Sequence, residues 1–278
     1  MIELYHKSSE ACSAVVTKQY STSFSSAINL LGKSIRQPIY NIYGFVRLAD
    51  EIVDTFHQQN KAALLADFKA ETYAAIDRKI SLNPILNSFQ LTVNTYNIAP
   101  HLIEAFFKSM ELDLNKQNYD VVGYNEYIYG SAEVVGLMCL FVFCKGNLAQ
   151  YKLLEPSAKA LGAAFQKVNF LRDVKADFEG LERMYFPGCD FKKFTLADKQ
   201  AIEADIQNDF ANAYKGIVQL PNQSRFGVYV AYKYYLSLFN KIKKIQPQKI
   251  LEERIRIPNY GKAFIVAKAG LRNQFNLL

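Results

Sequence analysis

Almost every segment of this 278-residue chain repeats its apolar residues at intervals of three and four, and none sustains the alternation that a half-buried strand requires. That regularity predicts an all-α protein. The expected helices run over roughly 8–20, 37–56, 60–79, 84–96, 101–114, 124–145, 149–180, 195–219, 223–244 and 262–275. Pro84, Pro100, Pro156, Pro187, Pro221, Pro247 and Pro258 fall near helix starts or in connections, as their fixed φ and missing N–H require, and Pro38 is expected to open its helix in the first turn. No short-period repeat is present, which excludes a solenoid. Half of the residues are hydrophobic and only 13 are Gly and 8 are Pro, so residues 1–278 read as one domain around one extended core.

The 20 Phe and 18 Tyr recur at helical spacing with Ala, Leu, Ile and Val, which is the ordinary composition of a helical core and equally that of a lipid-lined cavity. With 33 Lys and Arg against 26 Asp and Glu, the formal charge of +7 suits a partner that is a polyanion, an anionic membrane surface or a diphosphate. The basic residues are scattered apart from Lys241, Lys243 and Lys244, and no zinc-finger, phosphate-loop or RNA-binding signature is present, so no nucleic-acid partner is expected. Cys12, Cys139, Cys144 and Cys189 lack metal-binding spacing and read as reduced thiols of a cytoplasmic protein. The start, MIELYHKSSE, does not read as a secretory leader, and the most apolar run, 134–144, is about half the ~20 residues a bilayer span needs, so a buried helix is expected there.

Two segments carry chemistry. In IYGFVRLADEIVDTFH, Asp50 and Asp54 stand four residues apart, about 6 Å along a helix axis and on one face, with Arg47 a turn before. In LGAAFQKVNFLRDVKADFEGLERMYFP, Gln166, Asn169, Asp173 and Asp177 advance by three, four and four into one polar stripe, with Arg172, Arg183 and Tyr185 close by. Like charges at i and i+4 cost a helix a few tenths of a kcal/mol, and a hard divalent cation reverses that sign. Either pair taken alone reads equally well as a solvated face; two such faces set among apolar residues point to a metal site. A di-iron carboxylate bundle is the other chemistry for facing acidic helices. Asp54 and His57 imitate its Glu-x-x-His only in part, and the second segment has no His.

The two segments resemble the paired aspartate motifs of the phytoene/squalene synthase family, Y-x-x-x-R-x-x-D-x-x-x-D and Q-x-x-N-x-x-R-D-x-x-x-D. Tyr43, Arg47, Asp50 and Asp54 match the first, and Gln166, Asn169, Arg172, Asp173 and Asp177 the second. The resemblance covers roughly residues 20 to 260. It takes in Ser21, Ser23 and Phe24 of an S-x-S-F segment, Tyr127, Ala132, Val135, Gly136 and Met138 of a mid-chain helix, and Arg183, Tyr185 and Pro187 of R-x-Y-[LF]-P. Tyr235 and Arg254 match more loosely. The chain departs from the pattern at Ile128, Ser131 and Glu133, where Glu133 replaces a small residue, and at Tyr20, where some relatives carry a basic residue.

The resemblance implies an isoprenoid-synthase-type helical bundle around an apolar cavity and a prenyltransferase that joins two prenyl diphosphates head to head. It implies Mg2+, with Mn2+ as a substitute, held by Asp50, Asp54, Asn169, Asp173 and Asp177. Arg47, Arg172, Arg183 and Arg254 are then expected on the diphosphates; Ser21, Ser23, Tyr43, Gln166, Tyr185 and Tyr235 around the substrates; and Phe24 and Tyr127 near the reacting carbons. The wording of the motifs looks most like bacterial phytoene synthases. The absence of a dinucleotide fingerprint and of a C-terminal anchor in this sequence leans the same way, towards geranylgeranyl diphosphate as substrate. The rivals are a squalene or dehydrosqualene synthase acting on farnesyl diphosphate, with NADPH only for squalene, and a noncatalytic prenyl-lipid binder. Amphiphilic substrates and the positive balance also lead to the expectation of peripheral contact with the inner membrane surface, helped by the Lys241–Lys244 cluster.

Overall fold

A computed structural model describes residues 1–115, 119–181, 185–189, 194–250 and 254–274, the side chains of 115, 175–181, 259 and 274 excepted, and no strand occurs among them. The helices follow in the order α1 (Ile2–Tyr20), α2 (Thr22–Ile28), α3 (Lys33–Asp54), α4 (Lys61–Arg78), α5 (Pro84–Tyr96), α6 (Pro100–Asn115) and α7 (Val121–Ile128). A π-helical turn (Tyr129–Glu133) leads without a break into α8 (Val134–Cys144), followed by α9 (Leu148–Leu181), α10 (Leu196–Ile217), α11 (Asn222–Lys243), α12 (Pro247–Ile250) and α13 (Asn259–Gln274). The fold is the expected all-α bundle.

Two apolar clusters hold it. The first gathers α1, α3, α4, α5, α6 and α8 around Phe45, whose ring lies flat on Phe89 with centroids 3.8 Å apart and has Phe106 and Phe107 at 5.2 and 5.7 Å. The second joins α7, α9, α10 and α11 through Val168, Leu171, Phe210, Val230 and Phe239. Between α9 and α10 the buried Lys167 bridges Asp205 and Asp209 at 2.5 and 2.7 Å.

Ile42, Phe45, Ala49 and Ile52 fall on one side of α3, and Tyr43, Arg47, Asp50 and Asp54 on the other, because successive residues turn by about 100°. Burying the first side therefore aims the second. On α9, Ala164, Val168 and Leu171 are fully buried in the second cluster, which turns Gln166, Asn169 and Asp173 away from it.

Several local expectations need correcting. Pro38 lies in the second turn of α3 rather than the first. The helix starts earlier because its N-terminus is tied down: Gly32 N–H donates to the Gln223 carbonyl at 2.7 Å, and Arg36 Nε to the Leu31 carbonyl at 2.7 Å. Pro156 lies inside α9, not near its start. Tyr151 packs on Phe141 at 4.2 Å and Leu154 is buried, so packing carries the helix through the hydrogen bond that proline removes. α1 begins at Ile2, and the short α2 and α12 were not expected. The 134–144 run is part of a continuous helix, 121–144, long and apolar enough by length and composition to cross a membrane, yet Val134, Leu137, Met138 and Val142 are buried in the first cluster.

The π-helical turn is closely packed against its neighbours. A Cβ on Gly130 would meet the Ala105 carbonyl oxygen at 2.4 Å, and one on Gly162 would meet Ala132 O and Glu133 Cα at 2.7 and 2.9 Å. Glu133 faces Lys159, Lys167 and Asp209, and burial pushes its carboxyl up to about 7. Gly162→Ala is expected to lower stability by about 1–3 kcal/mol in urea denaturation, since the obstructing atoms are backbone. For Glu133, a folded pKa above the unfolded one means that stability falls as pH rises from about 4.5 to about 7. Glu133→Gln should therefore raise the melting temperature at pH 8 relative to the parent and raise it less at pH 5; an equal change at both would refute the assignment.

Candidate active site

A cavity of about 560 Å³ runs between the two clusters. On α3 its lining begins with Ile39 and Ile42 and ends with Arg47, Asp50 and Asp54; on α9 it begins with Leu154 and Ala158 and ends with Asn169, Arg172 and Asp173. Apolar residues thus come first and polar ones last on both walls, over roughly 28 Å along α9 at 1.5 Å per residue. Small residues, among them Gly136, Ala158, Gly162, Ala213, Gly216 and Gly227, line the apolar length.

At the polar end, Arg47 ion-pairs with Glu51, lies 3.9 Å from Asp50 and sits 4.3 Å over the Tyr20 ring. Tyr20 therefore supports an arginine at the position where some relatives carry a base. The Arg47 Nε is buried without a hydrogen-bond partner among the described residues. Solvent reaches about a third of the Asp50 side chain, 31%, but the group lies deep among apolar walls. Burial and the charges of Asp54 and Asp113 push its carboxyl up to about 8, against the pull of Arg47. Across the cavity Asp173 is chelated by Arg172 and bonded by Arg254 Nε at 2.8 Å. Gln166 donates to Ser131 Oγ at 3.2 Å, Asn169 to Gln166 Oε1 at 3.4 Å, and Tyr235 O–H to Asn169 Oδ1 at 3.3 Å.

Phe24 stands between the walls, its ring centroid 5.8 Å from Tyr43, 6.1 Å from Phe165 and 5.7 Å from Tyr235. It is held there by Ser21, whose hydroxyl caps α2 by accepting the Phe24 N–H. Burial pushes the Tyr43 hydroxyl up to about 12, so it stays a neutral donor. Tyr127 stacks near Tyr185 at 5.4 Å and donates its O–H to Asp113 Oδ2 at 2.9 Å.

The structure thus brings Ser21, Phe24, Tyr43, Arg47, Asp50 and Asp54 to one cavity with Tyr127, Gln166, Asn169, Arg172 and Asp173, and with Tyr185, Tyr235 and Arg254. Ser23 lines an adjoining pocket of about 400 Å³ that shares Ser21, Arg172, Tyr235 and Arg254 and adds Thr22, Arg256 and Lys262. The Asp177 side chain and all of Arg183 lie outside the described residues. Glu133 is turned from the cavity, whereas its neighbours Ser131, Ala132 and Val135 line it. Asp113, Arg256 and Lys262 were missed. Asp113 had a signal, an acid between Leu112 and Leu114 on a helix of apolar period; the two cations had none, being placed by a connection and by the start of α13.

The squalene/phytoene synthase family profile matches residues 17–261, and the chain belongs to that family. The family is one of prenyltransferase-type synthases of the head-to-head class, which act on prenyl diphosphates. The chain is 24% identical to the chloroplastic phytoene synthase 3 of Zea mays over 97% of its own length and 66% of the maize protein's, so it spans just under two thirds of that relative. It is 24% identical to the phytoene synthase of Arthrospira platensis, covering 92% of this chain and 91% of that one. It is 26% identical to the 4,4'-diapophytoene synthase of Staphylococcus haemolyticus, covering 70% and 67%. A crystal structure of a dehydrosqualene synthase with a bound ligand shares the fold, with a TM-score of 0.82, 20% identity and coverage of 97% of this chain and 98% of that one.

Proposed function

We propose that the chain joins two molecules of geranylgeranyl diphosphate head to head into phytoene, by way of a cyclopropylcarbinyl diphosphate. The observation that carries this reading is the cavity itself, a long apolar lumen that ends between three arginines and the aspartates of two facing helices. That is the shape and polarity of an amphiphile with a diphosphate head. The phytoene synthases among its relatives, at 24% identity, support the C40 product; the diapophytoene synthase relative, at 26%, favours the second reading, dehydrosqualene from farnesyl diphosphate.

Mg2+ fits the donor set, with Mn2+ as a substitute. The oxygens are carboxylate and amide, and burial, with the charges of Asp54 and Asp113, makes Asp50 resist ionising, which a divalent cation nearby would relieve. Among the described residues no three His, Cys, Asp or Glu side chains are grouped so as to hold a metal by themselves, and Mg2+ generally takes one or two carboxylates together with substrate phosphate oxygens. Asp50, Asp54, Asn169 and Asp173, with Asp177, would hold it, and when bound it would neutralise charge on the departing diphosphate.

In this reading Arg172 and Arg254 leave Asp173 for the diphosphate oxygens when substrate enters, and Arg47 and Tyr43 donate from the other wall. The C–O bond of one substrate breaks with its electron pair going to diphosphate, leaving an allylic cation. The double bond of the second substrate closes on that cation, and loss of a proton completes the cyclopropane. A second ionisation, rearrangement and proton loss give the hydrocarbon, without NADPH. The faces of Phe24, Tyr43, Phe165 and Tyr235 stabilise positive charge, and the apolar walls keep water from it. Asp113 orients the Tyr127 hydroxyl at the edge of this region. A cytoplasmic location accords with its four free cysteines.

Purified protein incubated with Mg2+ and either geranylgeranyl or farnesyl diphosphate, with and without NADPH, should yield phytoene from the first without reductant. A C30 hydrocarbon as the main product would transfer the assignment to the second reading. Asp50→Asn and Asp173→Asn are each expected to lower kcat by about 100-fold or more with helicity retained by circular dichroism; full activity in either would remove the site assignment.

A further inference from the structure

α13 lies on the outside of the bundle and carries apolar residues on two opposite sides. Ile265, Val266 and the buried Ala269 pack on the second cluster, as an amphipathic helix should. The opposite side carries Tyr260, Phe264 and Leu271, spaced four and seven apart and 80, 69 and 59% exposed, with the exposed Ala263 and Ala267 between them. Nothing in the bundle covers that stripe among the described residues.

The charge around it is of one sign. Asn259–Gln274 contains no acidic residue, and Lys262, Lys268 and Arg272 punctuate the helix. Lys233 of α11 lies beside Lys268 and Arg272, and burial together with these two charges holds its ammonium below the ordinary value. Neither Lys233 nor Lys268 forms an ion pair among the described residues. The cluster expected to meet a membrane, Lys241–Lys244, is partly engaged within the protein. Lys241 donates to the Arg256 carbonyl at 2.9 Å, and Lys243 lies 5.5 Å over the Phe239 ring.

We propose that α13 is a membrane-docking helix, laying Tyr260, Phe264 and Leu271 into the headgroup boundary of an anionic bilayer while Lys268, Arg272 and Lys233 meet lipid phosphates. Exposed aromatic and aliphatic side chains flanked by cations with no acids are what an interfacial helix requires. A second copy of the chain fits poorly, because a two-fold contact centred on this stripe would set the same cations against one another. The first turn of α13 also supplies Lys262 to the polar pocket beside the cavity, so docking would bring the bilayer next to the site that handles lipid diphosphates. Docking of this kind depends on the α13 surface and not on which prenyl diphosphate is used.

The test is flotation of the full chain with vesicles of phosphatidylcholine alone and of phosphatidylcholine with about a third phosphatidylglycerol. Binding is expected only to the anionic vesicles, and to weaken at least tenfold between about 0.1 M and about 0.5 M salt. Phe264→Ser with Leu271→Ser, and separately Lys268→Glu, should each weaken it about tenfold with helicity and soluble-assay turnover kept, whereas Lys243→Glu with Lys244→Glu should leave it intact. Undiminished binding in the α13 variants, or loss that follows Lys243 and Lys244 instead, would overturn the proposal. So would a chain that ignores vesicles and sediments as a dimer until Phe264 is replaced.

Discussion

The stacking of Phe45 on Phe89 is the contact on which the functional end of the molecule depends. It locks the rotation of α3, and a helix locked on one side has no freedom left on the other. Tyr43, Arg47, Asp50 and Asp54 are therefore aimed by a cluster of phenylalanines that touches none of them. The same logic holds on α9, where Val168 and Leu171 are seated in the second cluster and Asn169 and Asp173 look across the cavity. Two rigid apolar contacts, each made for stability, bring two sets of carboxylates face to face.

That placement is electrostatically costly without a ligand, and the structure shows how the cost is met. Asp173 is held by Arg172 and Arg254, while burial and the neighbouring Asp54 and Asp113 outweigh Arg47 at Asp50 and push its carboxyl up to about 8. The two walls thus differ. One is neutralised by arginines that also line the adjoining pocket, and the other retains a deficit of positive charge.

Much of this was legible from spacing. The helical period gave the fold class, and the four-residue intervals placed Asp50 with Asp54 and Asn169 with Asp173 on their faces, because a helix converts sequence distance into direction without reference to the rest of the protein. What spacing did not carry was anything set by a neighbour. Pro38 and Pro156 sit inside helices because Gly32 is anchored to Gln223, far along the chain, and Tyr151 to Phe141 of the preceding helix. Asp113 reaches the cavity through the packing of α6, and Arg256 and Lys262 reach the second pocket through a connection whose course no periodicity reports. The orientation of Glu133 was undecidable for the same reason: it depends on the turn that precedes α8.

That turn has a geometric consequence for the whole wall it interrupts. Tyr127, Ser131, Val135, Cys139 and Phe143 all line the cavity, an unbroken interval of four residues. In an unperturbed α-helix such a row creeps around the axis by about 40° at each step, so Phe143 would end about 160° away from Tyr127, on the far side. The single wide turn at Tyr129–Glu133 absorbs about one residue of rotation and unwinds most of that creep. Deleting one residue there would close the wide turn into regular α-helix and leave the distal half of the wall on the lumen, whereas inserting a further one would swing that half away by about 100°.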